Sequence, residues 1–160
     1  MSFVKNAYLG LGANLGNKRK QLITALTLLA ERAGDILAHS GFYETTPWGF
    51  QPAQSFLNVA VRMETFLSPF ELLAMTQQIE RELGRTAKST VGQYADRLID
   101  IDLLLYDDVV LQTPELVLPH PLPHKRLFVL QPLNEIAPRL RIPGFDQTVR
   151  SLCETLCDVS

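Results

Sequence analysis

Apolar residues along this chain recur at two different spacings, and the switches between them set out the elements. Residues 6–11 alternate as a strand and break at Gly12-Ala-Asn-Leu-Gly16. From Lys18 to Ala33 the period lengthens. Leu22, Ala25, Leu26, Leu29 and Ala33 share a helical face, with Asn17 as N-cap and Gly34 as the stop. Asp35 to Tyr43 reads as a second strand. Residues 44–55 carry two prolines and a glycine and read as a loop. Phe56 to Thr65 is a third strand, with Leu57, Val59, Val61 and Met63 toward the core and Phe56, Asn58, Ala60, Arg62 and Glu64 on the opposite face.

Ser68-Pro69-Phe70-Glu71 has the form of a capping box with proline in the first turn. It predicts a helix to about Leu83, with Leu72, Leu73, Ile79 and Leu83 inward and Gly84 as the stop. Residues 84–96 are polar and small, with Gly92 in the middle. A loop of that length in a compact domain reads as a lid or a binding segment. The strand of Asp100 and Asp102 follows. Asp107-Asp108 then reads as a hairpin turn into Val109-Val110-Leu111. Four prolines from Pro114 to Pro123 predict an irregular path. A helix from about Lys125 to Ile136 should kink or restart at Pro132. Asp146 is placed to cap a last helix ending near Cys157.

This order is β-α-β-β-α-β, then a hairpin and two helices. It predicts an α+β fold: a ferredoxin-like βαββαβ core, an antiparallel sheet, and helices on one face of it. The 160 residues suit one domain, and no repeat or linker divides 1–160. Hydrophobic residues make up 46% and charged residues 20%, as in ordinary globular proteins. A formal net charge of -2 argues against a general nucleic-acid binder. No apolar run approaches the ~18 residues of a membrane helix. The first residues lack the pattern of a signal peptide. Cys153 and Cys157 are too few for a zinc site and poorly spaced for a mutual disulfide. These features point to the cytoplasm, and no apolar stripe argues against a monomer.

Asp100 and Asp102 change the picture. They interrupt an apolar strand at i and i+2, roughly 6.6–6.8 Å apart along one face. Two like charges there repel and are costly to desolvate. Either they face solvent at an edge, or a divalent cation balances them; magnesium suits a few carboxylates plus phosphate oxygens. Arg85, Lys88 and Arg97 flank the long loop, and His120, His124 and Arg126 lie in the Pro-rich stretch. They are phosphate partners or simply solvated groups. Trp48 and Phe56, with Asn58, either cap the core or stack on and read a flat heterocycle. The turn at Gly12 is neither a P-loop nor a dinucleotide fingerprint. Motifs of nucleophilic catalysis are absent from the sequence, which favours metal-assisted transfer between bound substrates. The competing readings are a small-molecule sensor or RNA-binding module of the same topology, and an unrelated nucleotidyltransferase.

Several segments together resemble one family. They are Gly12-Ala-Asn-Leu15, Phe42-Tyr43-Glu-Thr45-Thr-Pro47-Trp-Gly49, Phe56-Leu-Asn58, Gln77-Gln-Ile-Glu80, Gly84-Arg85, Arg97-Leu-Ile-Asp100-Ile-Asp102, Pro119-His120 and Arg126-Leu-Phe128. Their order and approximate spacing are similar to those of the 6-hydroxymethyl-7,8-dihydropterin pyrophosphokinases. These folate-pathway enzymes move diphosphate from ATP to the pterin hydroxymethyl group. The resemblance covers about residues 6–140.

It implies that Asp100 and Asp102 bind two magnesium ions, and that Arg85 and Arg97 join them at the phosphates as catalytic residues. It implies a pterin pocket of Gly12, Thr45, Pro47, Trp48, Phe56, Asn58 and Phe128. Gln77, Glu80, Lys88, His120 and Arg126 would bind the nucleotide. The chain departs from the family at Ala87-Lys-Ser-Thr-Val-Gly-Gln-Tyr-Ala-Asp-Arg97. Many members have Arg-Trp-Gly-Pro-Arg before the aspartates, and Lys88 and Tyr94 are the nearest substitutes here. Ala87 replaces a further arginine. Pro121 stands where an aromatic often follows the histidine.

Overall fold

The computed structural model describes residues 4–14, 16–45, 55–84, 99–120 and 127–159. Its elements are β1 (Lys5–Ala13), α1 (Lys18–Arg32), β2 (Asp35–His39), β3 (Tyr43–Thr45), β4 (Phe56–Thr65), α2 (Pro69–Gly84), β5 (Asp100–Tyr106), β6 (Leu111–Gln112), β7 (Val117–Leu118), α3 (Leu127–Ile136) and α4 (Val149–Val159). The main sheet runs β2-β4-β1-β5, with β3 also paired to β4, and every pairing is antiparallel.

Alternation dictates the inner face. Ala7, Leu9, Leu11 and Ala13 of β1 point one way, with Val59, Val61 and Met63 of β4 and Ile101 and Leu103 of β5. Leu22, Ala25 and Leu29 of α1 and Leu72 and Ile79 of α2 cover them. Each fully buried Leu or Ile side chain here contributes about 1.5–3 kcal/mol by leaving water. The predicted caps hold these two helices. Asn17 Oδ1 accepts from the Lys20 amide at 3.1 Å. Ser68 and Glu71 exchange backbone-to-side-chain hydrogen bonds at 2.8 and 3.2 Å. Glu71 is thereby held below the usual carboxylate range by the Ser68 amide and hydroxyl.

The structure corrects several expectations. Helices cover both faces of the sheet, not one. Leu130 and Leu133 of α3 and Val149 and Leu152 of α4 pack on Ala60, Leu104 and Leu105. Ala60, expected on an outward face, is therefore core. The strand expected over 35–43 is two strands. At the break, the buried Ser40 hydroxyl accepts from the Ala60 amide at 2.9 Å and donates to the Gly41 carbonyl at 2.7 Å, replacing ladder bonds. The segment expected as a loop from residue 44 is strand through Thr45.

Asp107 and Asp108 do turn the chain, with Asp107 at φ 48° and its Oδ1 accepting from the Asn6 amide at 3.0 Å. The hairpin itself comes later. β6 pairs with β7 across Pro114 and Glu115, where Thr113 and Leu116 bond each other through backbone and hydroxyl. α3 is one helical run that contains Pro132. The last helix starts at Val149, and Thr148, not Asp146, caps it by accepting from the Ser151 amide at 3.2 Å. The side chain of Cys153 is buried.

Candidate active site

The register of three strands builds the site. Asn58 of β4 stands opposite Gly12 of β1, and Gly12 stands opposite Asp100 of β5. One step along, Ala60, Gly10 and Asp102 form a second row. Neighbouring strands lie ~4.8 Å apart, so Asn58 and Asp100 are separated by roughly two strand spacings. The strand between them presents only glycines. The result is a slot with a backbone floor, an amide on one wall and two carboxylates on the other.

A side chain at Gly12 would displace the Asn58 amide from where it stands. A Cβ there would lie 2.9 Å from Asn58 Oδ1. Asn58 itself is buried, and its Nδ2 donates to Thr45 Oγ1 at 3.0 Å. That bond occupies the amide nitrogen and turns the carbonyl oxygen toward Gly12. Thr45 stands opposite Phe56, which is half-buried at the entrance to β4. Just before Phe56, the buried Ser55 hydroxyl receives the Lys18 ammonium at 3.1 Å, tying this wall to the start of α1.

On β5, Asp100 and Asp102 are half-buried and alternate with the buried Ile101 and Leu103. Both carboxylates thus share the slot face, as the i, i+2 spacing requires. Between them, the Ile101 amide donates to Glu80 Oε2 on α2 at 2.7 Å. Glu80 is therefore engaged with the backbone of the strand that carries both aspartates. Gln77 lies one turn earlier on α2 and is exposed. The β1–β5 ladder shifts register between Tyr8 and Leu9. Adjacent Leu104 and Leu105 accordingly both face α3 and α4, and the Leu104 carbonyl accepts from the His120 amide at 2.9 Å. This irregularity seats His120 against the aspartate strand, consistent with the tendency of bulges to re-aim groups near sites. Phe128 is exposed near the start of α3.

Among the predicted site residues, Gly12, Thr45, Phe56, Asn58, Asp100 and Asp102 come together on the sheet. Glu80 and His120 are bonded to the β5 backbone, Phe128 lies on the helix above that face, and Gln77 stays at the surface. Pro47, Trp48, Arg85, Lys88, Arg97 and Arg126 lie outside the described residues. The contacts of Lys18 and Glu135 escaped sequence reasoning. Both residues act across long sequence separations that no local spacing records.

Among the described residues, no three His, Cys, Asp or Glu side chains cluster as a protein-built metal cage. Two hard carboxylates that leave most of a coordination shell to be filled by water and phosphate fit magnesium better than zinc or calcium. No helix among the described residues is long and apolar enough to cross a membrane.

Comparison with known proteins identifies the family. Residues 8–138 match the family described as 7,8-dihydro-6-hydroxymethylpterin-pyrophosphokinase (HPPK). A 2-amino-4-hydroxy-6-hydroxymethyldihydropteridine pyrophosphokinase of Porphyromonas gingivalis is 51% identical over 134 residues, covering 83% of this chain and 91% of that protein. One of Bacillus subtilis is 45% identical, covering 81% and 77%. The fold is similar to that of the Plasmodium falciparum HPPK-DHPS crystal structure, with a TM-score of 0.77 at 18% identity; the match covers 95% of this chain but only 44% of that one. The chain thus spans less than half of the solved protein it resembles. It belongs to the 7,8-dihydro-6-hydroxymethylpterin-pyrophosphokinase family.

Proposed function

We infer that this chain is a 2-amino-4-hydroxy-6-hydroxymethyldihydropteridine pyrophosphokinase. It transfers diphosphate from ATP to the hydroxymethyl group of 6-hydroxymethyl-7,8-dihydropterin, in folate biosynthesis. Family membership at 51% identity supports the activity. The observation that carries the site is the row Asn58–Gly12–Asp100, which faces a heterocycle reader toward a cation pair across a floor with no side chains.

In this reading the Asn58 carbonyl accepts from N–H donors on the pterin edge, because its own nitrogen is held by Thr45. Phe56 and Phe128, with Pro47 and Trp48, enclose the ring, and Gly12 lets it lie against the strand. Gln77, Glu80, Lys88, His120 and Arg126 hold the nucleotide. Arg85 and Arg97 hold its phosphates in bidentate fashion. Asp100 and Asp102 would hold magnesium, read as two ions, which would supply neutralisation of the charge that develops during transfer.

With both substrates aligned, the pterin hydroxyl oxygen forms a bond to the β-phosphorus. The bond from that phosphorus to the α–β bridging oxygen breaks, AMP leaves with that oxygen, and the hydroxyl proton passes to solvent. Alignment and fixed positive charge do most of the work, as is usual for phosphoryl transfer. The segment 84–96 is read as a lid that excludes water and so prevents hydrolysis.

The finer points of the reading are a ferredoxin-like core, a single pyrophosphokinase domain over 1–160, a monomer, and a cytoplasmic location. Strand order and antiparallel pairing support the first. The deciding experiment incubates purified protein with ATP, magnesium and the hydroxymethyl-dihydropterin and identifies the nucleotide product. AMP with the pterin diphosphate is expected. ADP, free pyrophosphate, or no AMP above the no-enzyme control would overturn the assignment.

A further inference from the structure

Outside the slot, one carboxylate holds the strand that supplies its far wall. Glu135 lies in the last turn of α3 and is exposed. Its Oε1 accepts the Tyr43 hydroxyl at 2.6 Å. Both of its oxygens accept from the Gly41 amide, at 3.2 and 3.1 Å. Tyr43 opens β3, which is three residues long and pairs with β4 alone. So short a strand has little ladder of its own to keep it in place.

Its position nevertheless matters to the site. Tyr43 stands opposite Asn58, and two residues later Thr45 accepts the Asn58 amide. The other end of α3 carries Phe128. A single latch between α3 and β3 therefore spans the two sides of the ring pocket. A phenol donating to a carboxylate makes a bond of the strong, charge-assisted class. Consistent with this, the Tyr43 phenol is pushed up to about 12, chiefly by its bond to Glu135, and stays a donor at neutral pH.

We propose that Tyr43 and Glu135 are positioning residues for the pterin: their hydrogen bond latches β3 to α3 and thereby sets Thr45 and the orientation of the Asn58 amide. The latch is not what seats α3, because Leu130 and Leu133 are wholly buried against the sheet. Its loss should fall on ligand affinity before it falls on the fold. The proposal rests on the pyrophosphokinase reading.

The test is steady-state formation of AMP with pterin and ATP varied separately, alongside thermal unfolding. Tyr43→Phe and Glu135→Ala should each raise KM for the pterin about tenfold, the scale of one lost hydrogen bond to a charged group. KM for ATP should stay within about twofold, since the described nucleotide residues Gln77, Glu80 and His120 lie on α2 and beside β5. Glu135→Gln keeps an acceptor for Tyr43 and should recover most of the affinity. Should Glu135→Ala lose its cooperative unfolding, Tyr43→Phe, which removes one oxygen from a half-buried side chain, carries the test. An unchanged pterin KM in an active Tyr43→Phe protein overturns the latch. An equal rise in both KM values does so too. A wild-type protein that releases no AMP sinks the pyrophosphokinase reading, and the latch with it.

Discussion

The missing side chain of Gly12 is as much a part of the site as the amide beside it. A methyl group at that position would press on Asn58 Oδ1 at 2.9 Å, closer than real Cβ contacts come. Gly12→Ala should therefore rotate the amide off Thr45 and raise the pterin KM by about tenfold or more, with thermal stability little changed. Saturation kinetics and a melting curve check both halves. Asp100 and Asp102 behave oppositely. Each is a like-charge neighbour of the other, so Asp100→Ala or Asp102→Ala relieves repulsion and should leave the melting temperature unchanged or slightly raised. Turnover should fall by at least about a hundredfold, the scale of losing one preorganised electrostatic group. Retained turnover would remove both residues from the chemistry. These two residues were legible because charge stands out in an apolar run. Asn58 was legible as one of two readings, an amide beside aromatics at a strand entrance, whereas Gly12 stood out only through the resemblance, since a glycine carries little local signal. Glu135 was not legible at all, because its partner Tyr43 lies 92 positions away.

Elements were readable where local chemistry fixes their ends. The box at Ser68 and Glu71 and the cap at Asn17 are written in short-range bonds, and both stand as the sequence predicts. Two-residue strands such as β6 and β7 are too short to show a period, so their pairing was invisible. The break between β2 and β3 was hidden for another reason. It depends on the Ser40 hydroxyl meeting the Ala60 amide from a different strand. Gly34, expected only to end α1, turns out to lie against β4. A Cβ there would sit 2.0 Å from the Glu64 carbonyl oxygen. Gly34→Ala should force the end of α1 and the C-terminal end of β4 apart and cost about 3 kcal/mol, the upper range for overpacking. Urea unfolding of the variant against wild type measures it. A cost below about 1 kcal/mol would mean that the loop yields easily.

For the molecule as a whole, the antiparallel sheet was foreseen and its second covering was not. Asn58, Ala60 and Arg62 looked like a solvent face because small and polar residues alternate there. Residues from α3 and α4, far along the chain, close over part of it. What they leave open is the slot of Gly10, Gly12, Asp100 and Asp102. Among the described residues, these four stay half-buried on a face whose neighbouring part is closed by α3 and α4. A fold kept at a TM-score of 0.77 with 18% identity fits this view, since strand register tolerates many side-chain changes.

Among the described residues, β5 ends the row of strands, and the lateral border of a sheet is where stray polypeptides add on and fibrils begin. Here that border is guarded. The Ile101 amide is already taken by Glu80, the Leu104 carbonyl by His120, and two negative charges stand beside them. The acidic pair thereby deters self-association at this margin of the sheet, whose opposite margin is formed by β2 and β3.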